Sequence, residues 1–182
     1  TNQYLIRKQN IEYIEYNTGW TINVIMKSLS AISVFLLAEP IAGFIGDERL
    51  ILVLKVMSIS PFLSGFFNIG MVIYEKEHNF RPKFIVAITS GLFGFSVKII
   101  LAIYLQNYWA FVFSGIVATC VSVVSSFVLQ KFRPRFSLAN WKQQWMFSQW
   151  ILLKSIFVYL RFKVDNFFLS KYLPLEDLGA YT

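Results

Sequence analysis

Five apolar runs, 19–38, 50–74, 84–105, 110–129 and 147–172, follow one another with only short polar stretches between them. Each has about the twenty residues that an α-helix needs to cross a hydrocarbon core roughly 30 Å thick. No water reaches backbone N–H and C=O groups in such a core, so a crossing segment must pair them internally, as a helix does. The expected fold class is therefore all-α, a polytopic membrane helix bundle with five spans. The composition agrees: the 182-residue chain is 56% hydrophobic and only 15% charged, whereas ordinary soluble domains are about a quarter charged.

The formal charge of +7 could suggest nucleic acid as a partner. The basic residues, however, sit in alternate loops. Arg7, Lys8, Lys76, Arg81, Lys83, Lys131, Arg133, Arg135 and Lys142 fall in 1–16, 75–83 and 131–145, while the intervening turns 39–49, 106–109 and 173–176 hold only Arg49. By the positive-inside rule the first set is expected to be cytoplasmic and the second to face outward, so the charge reads as topology and no nucleic acid is expected.

Along the chain, Asn17-Thr18 is a candidate helix cap. Asn23, Lys27 and Ser30 share one face of the first span at helical spacing. Glu39-Pro40 reads as the turn that ends this span. In the second, Pro61 among Ser58, Ser60, Ser64, Gly65 and Asn68 is expected to kink the helix, either to line a cavity or to allow close packing. The third span is interrupted by Lys98. The basic segment 131–146, with Trp141 and Trp145, reads as a linker carrying a short interfacial helix. His78 and Cys120 have no companions at metal-ligand spacing, and no phosphate-cradling Gly-rich loop or hydrolase motif is present. The expectation is a protein without metal, cofactor or enzymatic activity, and an internal piece of a longer membrane protein.

The fifth run carries charges in its body. A charge at the centre of a membrane helix costs about 2.5–3.5 kcal/mol on insertion scales, so it normally faces a partner or a watery cavity. Lys154, Arg161 and Asp165 are spaced by seven and four and fall on one stripe, with Lys163 on another face. Two plainer readings stand beside this: Lys27 and Lys154 lie near helix ends and can snorkel, and Arg161–Asp165 has the spacing of a helix-local ion pair.

Several runs together resemble a known family. Asn17-Thr18-Gly19-Trp20, Asn68-Ile69-Gly70 followed by Glu75-Lys76-Glu77-His78-Asn79-Phe80-Arg81, Arg133-Pro134-Arg135-Phe136-Ser137-Leu138, and the ending from Asp165 through Leu169-Ser170-Lys171-Tyr172-Leu173 to Leu178-Gly179-Ala180-Tyr181 are similar, in order and spacing, to bacterial Wzx-like polysaccharide flippases. These are O-antigen and capsule exporters of the multidrug/oligosaccharidyl-lipid/polysaccharide superfamily. In the connector after the fifth run, Pro174-Leu175 stands where that family more usually has Gly-Ala.

The resemblance implies a two-lobed transporter of about six plus six helices in the bacterial cytoplasmic membrane. Residues 1–130 would be the later part of the first lobe, 131–146 the inter-lobe linker and 147–182 the start of the second lobe. It further implies that an oligosaccharide on undecaprenyl diphosphate crosses from the inner to the outer leaflet by alternating access. Membrane lipid and a polysaccharide polymerase or export machinery would be its partners. Asn23, Lys27, Lys98, Lys154, Arg161, Lys163 and Asp165 become candidates for the substrate cavity, with a surplus of cations that suits an anionic cargo. A cation antiporter of the same superfamily, and a membrane polymerase or glycosyltransferase, are the alternatives. Replacing Arg161 by Ala is expected to abolish polysaccharide export in a complementation assay at unchanged membrane level; wild-type export would remove Arg161 from the cavity.

Overall fold

The computed structural model describes residues 5, 6, 12–139, 141, 142, 144–146, 149, 150, 153 and 157. Lys154, Arg161, Lys163 and Asp165 thus lie outside the described residues. The chain divides into two compact units, Thr1–Trp141 and Lys142–Thr182; the first is described below, and its elements are helices.

Helix α1, Tyr13–Ile45, has 33 residues and is about 50 Å long at 1.5 Å per residue. It begins one turn before the Asn17-Thr18 cap expected from the sequence. Glu12 and Glu15 close a reciprocal capping box in which the Glu12 N–H donates to Glu15 Oε2 at 3.3 Å, which satisfies N–H groups that no preceding turn can serve. The helix also continues through Pro40, where a turn was expected. Proline removes one N–H and frees one carbonyl, but the apolar residues on both sides leave a helix as the cheaper backbone in lipid. α1 ends instead at Gly46, whose φ of +83° is left-handed and whose N–H bonds to Ala42, at 2.8 Å.

The expected second span, 50–74, is not one helix. It forms α2, Arg49–Met57, α3, Ile59–Gly65, and α4, Met71–Lys76. Pro61 has no N–H for the carbonyl of Met57, so the ladder lapses one residue later, at Ser58, whose hydroxyl turns back to the Lys55 carbonyl at 2.6 Å. α2 and α3 together reach only about 25 Å, after which the chain turns through 66–70. Helices α5, Arg81–Leu105, and α6, Trp109–Leu129, pack as a hairpin. α6 also touches α2 and α3, and these touch α1, so the order across the unit is α1, α2–α3, α6, α5.

Helices α1, α5 and α6 are long and apolar enough to cross a membrane, and much of their surface is bare of protein: Leu36, Leu92 and Ile103 are each more than 60% exposed. Such faces are unstable in water and at home in lipid. The protein is a multi-pass membrane protein, with a bundle of helices as expected.

The α5–α6 contact depends on a missing side chain. A Cβ on Gly94 would lie 2.8 Å from the Ala118 Cβ, which is fixed to the α6 backbone and cannot swing aside. Overpacking of this kind costs about 1–3 kcal/mol, more than the roughly 1 kcal/mol that alanine gains over glycine in a helix. Gly94→Ala is expected to lower the thermal midpoint of the purified protein in detergent, and Ala118→Gly added to it to recover most of the loss. An unchanged midpoint for Gly94→Ala would contradict the close approach.

Candidate functional site

Polar side chains gather at the end of the unit where α1 starts and α6 stops. Beyond Leu129 the chain leaves the helix at Gln130, which is extended (φ −115°, ψ 123°), and runs back along α1 as a strap. The Tyr13 hydroxyl donates to the Arg133 carbonyl at 3.5 Å, the Arg135 N–H donates to Asn17 Oδ1 at 2.9 Å, and the Ser137 N–H donates to Thr21 Oγ1 at 3.0 Å. Four residues of helix rise about 6 Å and two residues of extended chain about 6.6 Å. Helix positions 13, 17 and 21 therefore keep pace with strap positions 133, 135 and 137. The Thr18 hydroxyl closes the strap by donating to the carbonyl of Ala139.

One apolar anchor accompanies these bonds. Phe132 is buried among Leu5, Trp20, Val24, Ile69 and Val72, with its ring 4.8 Å from that of Tyr13, and Trp20 packs on Phe136 at the same separation. Over 131–139 the basic segment therefore packs on α1 within the first unit.

The strap meets the turn after α3 at Asn68, which is fully buried. Its N–H donates to Ser126 Oγ at 3.1 Å, its Nδ2 donates to the Phe132 carbonyl at 2.8 Å, and its Oδ1 accepts the Gly70 N–H at 2.9 Å. Gln130 reinforces the junction, donating from Nε2 to the Gly70 carbonyl at 2.8 Å. A Cβ at Gly70 would come within 2.7 Å of Phe132 Cβ and 2.8 Å of Gln130 Cγ, so only glycine lets the strap lie this close. Arg133, although exposed, folds back on the end of α6: one guanidinium nitrogen donates to the carbonyls of Gln130 at 2.8 Å and Phe127 at 3.2 Å, serving carbonyls that the end of α6 leaves without helical partners.

The same turn is held from α1. The Trp20 indole N–H donates to the Phe66 carbonyl at 3.5 Å, and Asn23 Nδ2 donates to the Gly65 carbonyl at 3.2 Å. Three of the runs behind the family resemblance, 17–20, 68–70 and 133–138, therefore meet in one junction.

The candidate cavity residues are not all in one place. Asn23 and Lys27 lie together on the α1 face toward α3, where a Cβ on Gly65 would come within 3.0 Å of Lys27 Cβ; Asn23 is partly buried and Lys27 exposed. Lys98, on α5, places its ammonium 5.3 Å from the ring centre of Phe111 on α6, a cation–π distance. Pro61 marks the α2–α3 break. Among the described residues no group of three His, Cys, Asp or Glu is placed to hold a metal ion.

An ion pair absent from the sequence-based candidates lies toward the other end of α1. Lys55 Nζ is 2.7 Å from Glu39 Oε1 and 5.4 Å from the ring centre of Phe35. Two signals pointed to it: a lone acid in Leu36-Leu37-Ala38-Glu39-Pro40-Ile41-Ala42, and a lone base in Leu52-Val53-Leu54-Lys55-Val56-Met57. Reading Glu39-Pro40 as a turn hid the first.

Comparison with known proteins places this arrangement. The family described as polysaccharide biosynthesis protein matches residues 1–182. The chain is 23% identical over 180 residues to the succinoglycan biosynthesis transport protein ExoT of Rhizobium meliloti (strain 1021), covering 98% of this chain and 36% of that protein. It is 22% identical to the lipopolysaccharide biosynthesis protein WzxC of Escherichia coli (strain K12), over 97% of this chain and 37% of the relative. It is also 22% identical to an uncharacterized membrane protein in the cps region of Klebsiella pneumoniae, over 97% of this chain and 38% of the relative. The chain spans little more than a third of the length of each. No solved structure matches it. With a family match along its whole length, the chain belongs to the polysaccharide biosynthesis protein family.

Proposed function

We propose that the chain is part of a polysaccharide flippase, in which it supplies the later helices of a first lobe, the inter-lobe linker and the start of a second lobe. The observation that carries this reading is the family match over residues 1–182, together with the similarity of 98% of the chain to a succinoglycan biosynthesis transport protein. The cargo in this reading is an oligosaccharide on undecaprenyl diphosphate, moved from the inner to the outer leaflet of the bacterial cytoplasmic membrane by alternating access. No enzymatic step is assigned to the chain.

The geometry is compatible with that work in two respects. A diphosphate crossing a medium of low dielectric needs cations or dipoles near its path. In this proposal the candidate cations Lys27, Lys98, Lys154, Arg161 and Lys163, with the Asn23 amide, supply them. A helix that breaks, as α2–α3 does at Ser58, is tolerated where protein or water serves the freed backbone, and the end of α3 is served by Trp20 and Asn23.

The reading also fixes sidedness. The strap, the α4–α5 loop and the start of α1 would face the cytoplasm, and the turns at 46–49 and 106–108 would face outward. In a background with Cys120 replaced by Ala, a membrane-impermeant thiol reagent added to intact cells is expected to label cysteines placed at Asp47 and Asn107, and to reach those at His78 and Lys131 only after permeabilisation. The full-length protein is expected to restore surface polysaccharide to a strain lacking its flippase. Restored drug resistance without polysaccharide would favour a cation antiporter, and altered polysaccharide chain length a polymerase.

A further inference from the structure

We infer that the strap is a binding surface for anionic phospholipid head groups, with Lys131 and Arg135 holding phosphate while Phe136, Leu138 and Trp141 rest against the adjoining acyl chains. Depth is the first reason. α6 has 21 residues and is about 30 Å long, the thickness of a hydrocarbon core, so the chain reaches the edge of the hydrocarbon where that helix ends at Gln130. From there the strap is bonded to Tyr13, Asn17 and Thr21. These belong to the first turns of α1, which with 33 residues is about 20 Å longer than the core. Both helices put the strap at head-group level.

Charge is the second reason. Side chains alternate along an extended chain, and as Phe132 turns into the core, Lys131, Arg133 and Arg135 are left exposed. Arg133 is spent on the carbonyls at the end of α6. Lys131 and Arg135 hold no carboxylate among the described residues. Residues 131–141 contain no Asp or Glu, and the two acids at the start of α1, Glu12 and Glu15, close on each other's backbone in the capping box. The N–H of Arg135 is fixed to Asn17, so the backbone that carries these cations is already ordered before an anion arrives, and binding has less freedom to remove.

The neighbouring apolar side chains decide which anion fits. Phe136 is 69% exposed, Leu138 54% and Trp141 45%. A soluble phosphate would satisfy the two cations and leave these three in water. A membrane surface serves both kinds of side chain, with phosphate at the cations and acyl chain at the rings and at Leu138. An anionic leaflet draws a basic residue beside a span by about fivefold in affinity, and two such residues on one ordered strap make roughly twentyfold.

The surface is independent of any cargo, and lipid binding alone tests it. Full-length protein in neutral detergent would be titrated with dioctanoyl phosphatidylglycerol and with dioctanoyl phosphatidylcholine, the bound lipid being counted by native mass spectrometry. The wild type is expected to prefer the anionic lipid by roughly twentyfold. Lys131→Gln and Arg135→Gln are each expected to lower that preference about fivefold, and the two together to remove it. Arg135→Lys is expected to retain most of it, and Arg49→Gln, which removes an exposed cation at the start of α2, to leave it unchanged. Leu138→Ser is expected to weaken both lipids alike. Equal binding of the two lipids by the wild type, the result if an acidic part of the full-length chain covers the strap, would overturn the surface. An unchanged preference in the double variant would do the same, and so would displacement of the anionic lipid by glycerol 3-phosphate at matched concentration, which would mark a site for free phosphate.

Discussion

The helix that stops at Gly65 leaves backbone groups without helical partners, and the structure at this end of the unit follows from how they are served. Asn23 and Trp20 reach across from α1 to the carbonyls of Gly65 and Phe66. Asn68 ties the following turn to both α6 and the strap. A buried backbone group left unpaired costs on the order of 1–3 kcal/mol, about twice the net gain of an ordinary hydrogen bond, so the end of α3 is stable only with these residues in place. The strap exists on the same terms. Its N–H groups have no β-partner, and Asn17 and Thr21 supply acceptors at a rise that matches its own.

The junction joins segments far apart in sequence: 13–23 from α1, 65–74 around the broken helix, and 126–139 from the end of α6 onward. In the flippase reading the last of these leads to the second lobe. The segment is bound to α1 and to the turn below α3 as far as Ala139. The two ends of α1 have different duties. Its first turns hold the strap, and its later turns carry Glu39, paired with Lys55.

Much of the architecture could be read from the sequence because lipid permits few backbones. Apolar runs of about twenty residues foretold the helices α5 and α6 within a few residues, and the third long helix α1 at least in its middle. What could not be read depended on tertiary partners. Asn17 and Thr18 have the chemistry of a cap, but they spend it on a strap more than a hundred residues away. Pro40 and Pro61 are alike locally, yet the helix runs through the first and lapses beside the second, where the Ser58 hydroxyl turns back to the Lys55 carbonyl. Glu39 looked like a turn residue because its partner, Lys55, lies sixteen positions on. The candidate cations on the fifth run lie outside the described residues, so their face remains a reading of spacing and resemblance.

Amide hydrogen exchange over 131–139, measured on the full-length protein in nanodiscs, tests the central claim that this basic segment is a docked part of the first unit. The Arg135 and Ser137 amides are expected to exchange orders of magnitude more slowly than an exposed peptide, and to lose that protection when Asn17 and Thr21 are replaced by Ala. Exchange at the rate of free chain in the unaltered protein would contradict it.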